Sequence, residues 1–151
     1  PGAIAAAEAA GYELSIGRID EERRVRRALG RLRPGIDALW LMPDPSVLTP
    51  SGYHTIYTEA LRTSLPVLAY SEALVHAGAL MCLAPDYDDV GRLAAVLSQQ
   101  ILDGEDPDAL DELQPAAFRV VLNDDTKAAL QLTLDPILLD FVDEVVTAPR
   151  R

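Results

Sequence analysis

LPVLAYSEALVHAGALMCLAPDYDDVGRLAAVLSQQILDG, residues 65–104, is the stretch that decides the architecture. Leu65-Pro66 restarts the chain into a short apolar run, Val67 to Tyr70, which reads as a strand. Ser71 is placed to cap a short helix that Gly78 ends, and Ala79 to Leu83 is a second apolar run of strand length. A long helix follows from Tyr87 to Asp103. Val90, Leu93, Leu97 and Ile101 recur along it at spacings of three and four, and Gly104 stops it. Short apolar strands joined through helices read as βαβ units, because parallel neighbours need a long crossover between them.

The alternation extends outward from this stretch. Upstream, Thr49-Pro50 reads as an N-cap with proline at the first helical position, and the helix runs to Ser64 with Tyr53, Ile56, Tyr57, Ala60 and Leu61 on one stripe. Before it, Asp37 to Met42 (DALWLM) is nearly continuous apolar, the pattern of a strand covered on both faces, with Trp40 in the core. Residues 2–10 are alanine-rich and helical, with Gly11 as the stop. Tyr12 to Ile19 reads as a strand and Glu21 to Leu32 as a helix broken by Arg33-Pro34-Gly35. Downstream, 104–117 is an acidic loop, Phe118 to Leu122 a last strand, and Asp124 to Leu130 and Pro136 to Val146 short helices. The fold class is therefore α/β: a three-layer, doubly wound, mostly parallel sheet with helices on both faces.

The balance of 24 acidic against 13 basic side chains, with aromatics at 5%, argues against a nucleic-acid partner, which needs cationic surface and stacking platforms. Arg18, Arg23, Arg24, Arg26, Arg27, Arg31 and Arg33 crowd one region, but Val25, Leu29 and Leu32 form an apolar stripe beneath them, so the arginines read as the solvated side of an amphipathic helix. One cysteine, Cys82, excludes a disulfide framework and a multi-thiolate metal site. No apolar run reaches the roughly 20 residues that span a bilayer. The chain opens at Pro1-Gly2, without a methionine or a signal peptide, and is expected to be a processed product or a piece of a longer protein.

Chemistry-bearing motifs are absent: there is no phosphate-cradling glycine loop, no dinucleotide turn and no nucleophile elbow. His54 and His76 lack metal-ligand spacing, Cys82 lies in an apolar strand, and Asp88-Asp89 and Asp124-Asp125 fall at helix starts, where capping accounts for them. No catalytic residue, cofactor or metal is expected. What topology does offer is a rim. Ligands of open α/β sheets bind beyond the carboxyl ends of the strands. Those ends carry Met42-Pro43-Asp44-Pro45-Ser46, Tyr70-Ser71-Glu72 and Ala84-Pro85-Asp86-Tyr87, expected side by side. Each residue also has a purely local reading: Asp44 as a turn residue, Ser71 and Asp86 as helix caps, Glu72 as a first-turn acid.

Three runs carry a resemblance: ALWLMPDPSVLTP from Ala38, the 65–107 stretch with its YSEALVHAGAL turn and PDYDDVGR helix start, and FRVVLNDDTKAALQLTLDPILLDFVDEVV. They resemble the substrate-binding proteins of ABC transporters whose better-known members look like aromatic amino-acid binders. The likeness covers about Tyr12 to Val146 and implies one lobe of the type I periplasmic-binding fold, in which two α/β lobes joined by a hinge close on a solute. It implies a single lobe over 1–151, the C-terminal portion of such a protein. The N-terminal lobe and the second lobe's first strand would then be missing. The helix at 87–104 would pack on the missing lobe or on a second copy, through a homodimer. The implied ligand contacts are Asp44, Pro45, Ser46, Ser71, Glu72, Asp86 and Tyr87, with a carboxylate for an ammonium, hydroxyls for a carboxylate and Tyr87 over an apolar side chain. Many relatives carry a threonine-aspartate-asparagine turn where this chain has Asp44-Pro45-Ser46. The implied role is capture of a small solute, an amino acid among the candidates, outside the cytoplasm for delivery to an ABC permease, without enzymatic activity. A ligand-sensing module of a signalling protein is the alternative the same fold allows. A small enzyme using rim carboxylates and a phosphoacceptor receiver domain also fit the alternation, but a receiver needs a strand-end lysine, and Lys127 is the only lysine.

Overall fold

The computed structural model describes residues 2–19, 21–45 and 48–147. They divide into two compact units, up to Val67 and from Leu68 onward. The described residues contain five strands, β1 (Leu39–Trp40), β2 (Val67–Ala69), β3 (Met81–Pro85), β4 (Phe118–Asn123) and β5 (Glu144–Val146), and hydrogen-bonded neighbours follow chain order.

The first unit is built on two helices, α2 (Val25–Leu32) and α3 (Pro50–Arg62). Thr49 caps α3 by accepting the Gly52 amide at 3.0 Å and donates its own hydroxyl to Glu22 at 2.6 Å. That hydroxyl holds the Glu22 carboxyl below its ordinary pKa. Val25 and Leu29 of α2 and Tyr53, Ile56 and Ala60 of α3 are buried, as the stripes predict. Arg26, Arg27 and Arg31 of α2 are exposed, as expected, and Arg33 follows the helix. Arg33 turns inward and donates to the Thr63 and Ile36 carbonyls. The first helix, α1 (Gly2–Ala9), ends at Gly11 with φ +79°. Tyr12 to Ile19 is irregular rather than a strand, with Tyr12 and Ile16 exposed. A strand there would need a pairing partner, and among the described residues none is supplied. The predicted strand 37–42 shrinks to Leu39–Trp40, bonded from the Leu39 amide to the Pro66 carbonyl at 2.8 Å. Leu41 is buried, but Trp40 and Met42 are more than half exposed, so the expectation of a strand covered on both faces fails.

In the second unit β2 and β3 are parallel, β3 and β4 antiparallel, and β4 and β5 parallel. The sheet is mixed, mostly parallel α/β. One face carries Cys82, Ala84 and Val121, buried beneath α4 (Glu72–His76), while α6 (Asp124–Ala129) packs beside β5. Two buried polar side chains tie the helices to the strands. Asn123 donates to the Val75 carbonyl at 2.9 Å and caps α6 by accepting the Thr126 amide, and the Thr126 hydroxyl donates to the Gly78 carbonyl. The predicted helix from Pro136 to Val146 is only α7 (Pro136–Leu139), and Glu144 to Val146 is the fifth strand. Leu138 and Val142 imitate a helical stripe, but pairing with Val121, Leu122 and Asn123 overrides it.

Candidate functional site

The strand directions of the second unit collect four ends on one side of its sheet. Because β2 and β3 are parallel and β4 runs back against β3, the carboxyl ends of β2 and β3 meet the start of β4. The start of β5 lies there too, since β5 is parallel to β4. This rim carries Ser71 and Glu72 after β2, Asp86 and Tyr87 after β3, Phe118 and Arg119 at the start of β4, and Asp143 and Glu144 at the start of β5. Four of the residues expected from the sequence are therefore brought together. Asp44 and Pro45 belong to the first unit and are exposed in the turn after β1, where the Leu48 amide donates to the Asp44 carbonyl at 2.8 Å. Ser46 lies outside the described residues.

The local readings of these residues now separate. Asp86 is a working cap: its Oδ1 accepts the Asp88 and Asp89 amides at the start of α5 (Tyr87–Leu102) at 2.8 and 3.3 Å. Ser71 occupies the cap position of α4, yet its hydroxyl makes no capping bond. Tyr87 stands 71% exposed, its ring free to cover a ligand. Glu72, a third exposed, meets one partner among the described residues: its Oε1 lies 3.5 Å from Arg119 Nε, and Oε2 carries no bond.

Sequence reasoning missed Arg119 and Glu144. Arg119 Nη2 donates to Glu144 Oε2 at 2.9 Å while Nε faces Glu72, so one guanidinium lies between two carboxylates. Arg119 sits opposite Ala84, and Glu144 opposite Val121, so period-two alternation puts both side chains on the face that α4 covers. A signal existed. From Asp86 to Glu144 the bases are Arg92, Arg119 and Lys127. Arg92 and Lys127 pair with Asp89 and Asp124 one helical turn away, which leaves Arg119 as the base with no partner on its own element.

Other candidates recede. Asp89 is buried not as a cap but as the acceptor of the Ala116 and Ala117 amides, at 2.9 and 3.2 Å, fastening the acidic loop to α5. Those amides, more than nearby Arg92, hold its carboxyl below the ordinary range. Burial pushes the Cys82 thiol up, as suits an inert core residue. His54 and His76 are exposed, and no group of three or more metal-ligating side chains occurs among the described residues. A depression of about 200 Å³ beside α2 and α3 is lined by Leu29, Arg33, Glu59, Ala60, Arg62 and Leu65, but Arg33 is committed to carbonyls and Arg62 to Glu59.

The profile of the ABC transporter substrate binding protein family matches residues 3–146. The chain belongs to that family. It is 26% identical over 121 residues to a tyrosine-binding protein of Clostridioides difficile, covering 80% of this chain and 34% of that protein. Its fold matches the ABC domain in complex with L-Trp from Streptococcus pneumonia, with a TM-score of 0.75 at 21% identity, over 94% of this chain and 49% of that one. It also matches a ligand-free, open substrate-binding protein with adhesive properties from Clostridium difficile, with a TM-score of 0.71 at 21% identity, over 96% of this chain and 48% of that one. The chain thus spans between a third and a half of the length of these family members. The type of fold expected from the resemblance is borne out.

Proposed function

We propose that this protein is a solute-binding component that captures a free amino acid and presents it to an ABC permease outside the cytoplasm. The observation that carries the reading is the family match over 3–146, and the chemistry of the rim agrees with it. Glu72 offers an unengaged carboxylate oxygen to an ammonium, the Ser71 hydroxyl is uncommitted, and exposed Tyr87 offers a ring to an apolar side chain. An amino acid combines those three features, and the relatives named for tyrosine and seen with L-Trp take such ligands. For Asp44, Pro45 and Ser46 the support is their position in the run ALWLMPDPSVLTP, which resembles the family's although the turn residues themselves differ from those of many relatives. In the proposed mechanism a second lobe closes over the solute by a hinge, and the closed form is what the permease reads. Contacts divided between lobes make the affinity of this chain alone weak. The exposed side of α5 is proposed to meet that lobe or a second copy.

The test is a titration of the isotope-labelled chain with each protein amino acid at millimolar concentration, followed by amide chemical shifts. Shifts confined to residues 44–48, 70–73 and 86–89 are expected for at least one aromatic amino acid. An unchanged spectrum with every amino acid overturns the amino-acid reading.

A further inference from the structure

We infer that Arg119 is a positioning residue for solute binding, holding Glu72 in place to receive the solute's ammonium while being held itself by Glu144. The inference rests on the proposed amino-acid function. Its basis is the geometry of the three side chains. Arg119 reaches both carboxylates from the one edge of its guanidinium that Nε and Nη2 share, Nη2 to Glu144 at 2.9 Å and Nε to Glu72 at 3.5 Å. The Glu144 contact is a hydrogen bond, whereas the Glu72 contact is longer and lies outside hydrogen-bond geometry. Arg119 is therefore anchored on β5 and orients the carboxylate of α4 without consuming it. Two carboxylates share one cation, so the group as a whole carries one uncompensated negative charge. Glu72, the less tightly held of the two carboxylates, offers its free oxygen on the rim, where a primary ammonium would complete the set.

Arginine suits this place because its planar fork holds two donors, Nε and Nη2, at a fixed spacing so that each can face a different carboxylate, while a lysine ammonium is a single point charge on a flexible stem. Without Arg119, Glu72 is a long side chain a third exposed, and ordering it costs side-chain entropy at the moment of binding. A positioning residue lowers that cost beforehand. The connection also spans three elements, α4, β4 and β5, so the orientation of Glu72 depends on strand register rather than on its own five-residue helix.

The experiment is a double-mutant cycle on L-tryptophan binding, read by amide shifts, with Glu72→Gln, Arg119→Gln and the combined variant, together with Arg119→Lys and Glu144→Gln. Thermal unfolding of each variant checks folding. Glu72→Gln is expected to weaken binding roughly tenfold, the scale of a lost charge-assisted hydrogen bond. Arg119→Gln is expected to weaken it several-fold. The combined variant should bind no more weakly than Glu72→Gln alone, because Arg119 acts through Glu72. Arg119→Lys should recover part of the loss, and Glu144→Gln should reproduce part of it without touching the ligand. Additive effects, a silent Arg119→Gln or a silent Glu72→Gln overturn the inference while leaving the amino-acid reading standing. Should Arg119→Gln not fold, full-strength binding by both Arg119→Lys and Glu144→Gln overturns the inference. A parent chain that binds no amino acid overturns both.

Discussion

Asp89 and Asp86 are neighbours in sequence with different tasks, and the difference lies in which amides each can reach. Asp86, outside the helix, accepts the amides at the start of α5, whereas Asp89, inside it, turns away and accepts two amides of the 104–117 loop. Two charge-assisted bonds to backbone hold its carboxyl below the ordinary value of 3.8. A carboxyl depressed in the folded state stabilises fully at pH values above its unfolded pKa, and that contribution is lost as the pH falls through the folded value. Asp89→Asn is therefore expected to lower the thermal midpoint at pH 7, and the gap to the parent should close below pH 3.8, measured by circular dichroism across pH. Which helix-start acid caps and which reaches a distant loop was not legible in the run PDYDD, since both are chemically able to do either.

Helix boundaries are legible in the sequence wherever one residue type enforces them. Thr49-Pro50 starts α3 because the threonine oxygen can accept an amide of the first turn and proline has no amide to satisfy there. Gly11, Gly78 and Gly104 end their helices with φ of +79°, +119° and +99°, a conformation costly for other residues. Thr49→Ala removes the cap of α3 together with the bond to Glu22, and is expected to cost about 1 kcal/mol in urea unfolding. Strands are less legible. Leu39–Trp40 and Glu144–Val146 are short, and what makes them strands is the backbone opposite, at Pro66 and at Val121 to Asn123. A short apolar run states that it wants burial without stating which partner will provide it.

At the scale of the molecule, the two faces of the second unit's sheet have different fates. Cys82, Ala84 and Val121 point toward α4 and are 1% exposed or less. Leu83, Phe118 and Val145 point the other way and stand 60%, 51% and 58% exposed, although Leu122 on that same face is 1% exposed, so the second face is open only in part. Val121→Ala is expected to cost about 2 kcal/mol, because it opens a cavity in a closed layer. Leu83→Thr, in the neighbouring strand, should change stability by less than about 0.5 kcal/mol. Urea unfolding of both variants checks the contrast, and equal losses would mean that the open face is covered in solution. The long helix α5 behaves like the open face: Asp89 is its one buried residue, and Ile101 and Leu102 are exposed. Its apolar stripe is plain in the sequence, and the described residues cover it only in part: Val90, Leu93 and Leu97 are partly buried and Ile101 is exposed.

The sequence by itself determined the α/β class, the helix starts and stops, the absence of a metal or nucleophile motif, and the family, because these follow from local spacing and from residues whose backbone chemistry leaves few choices. It also placed Ser71, Glu72, Asp86 and Tyr87 at strand ends, since topology alone sends those ends to one rim. Only the tertiary structure decided that Asp86 is consumed as a cap while Ser71 is not. It alone made β5 a strand, left Trp40 exposed, and placed Arg119 between Glu72 and Glu144. The fifth strand and the Arg119 group depend on segments more than 20 residues apart in sequence meeting across a sheet, as Arg119 and Glu144 do, and strand register rather than residue type sets which of them meet.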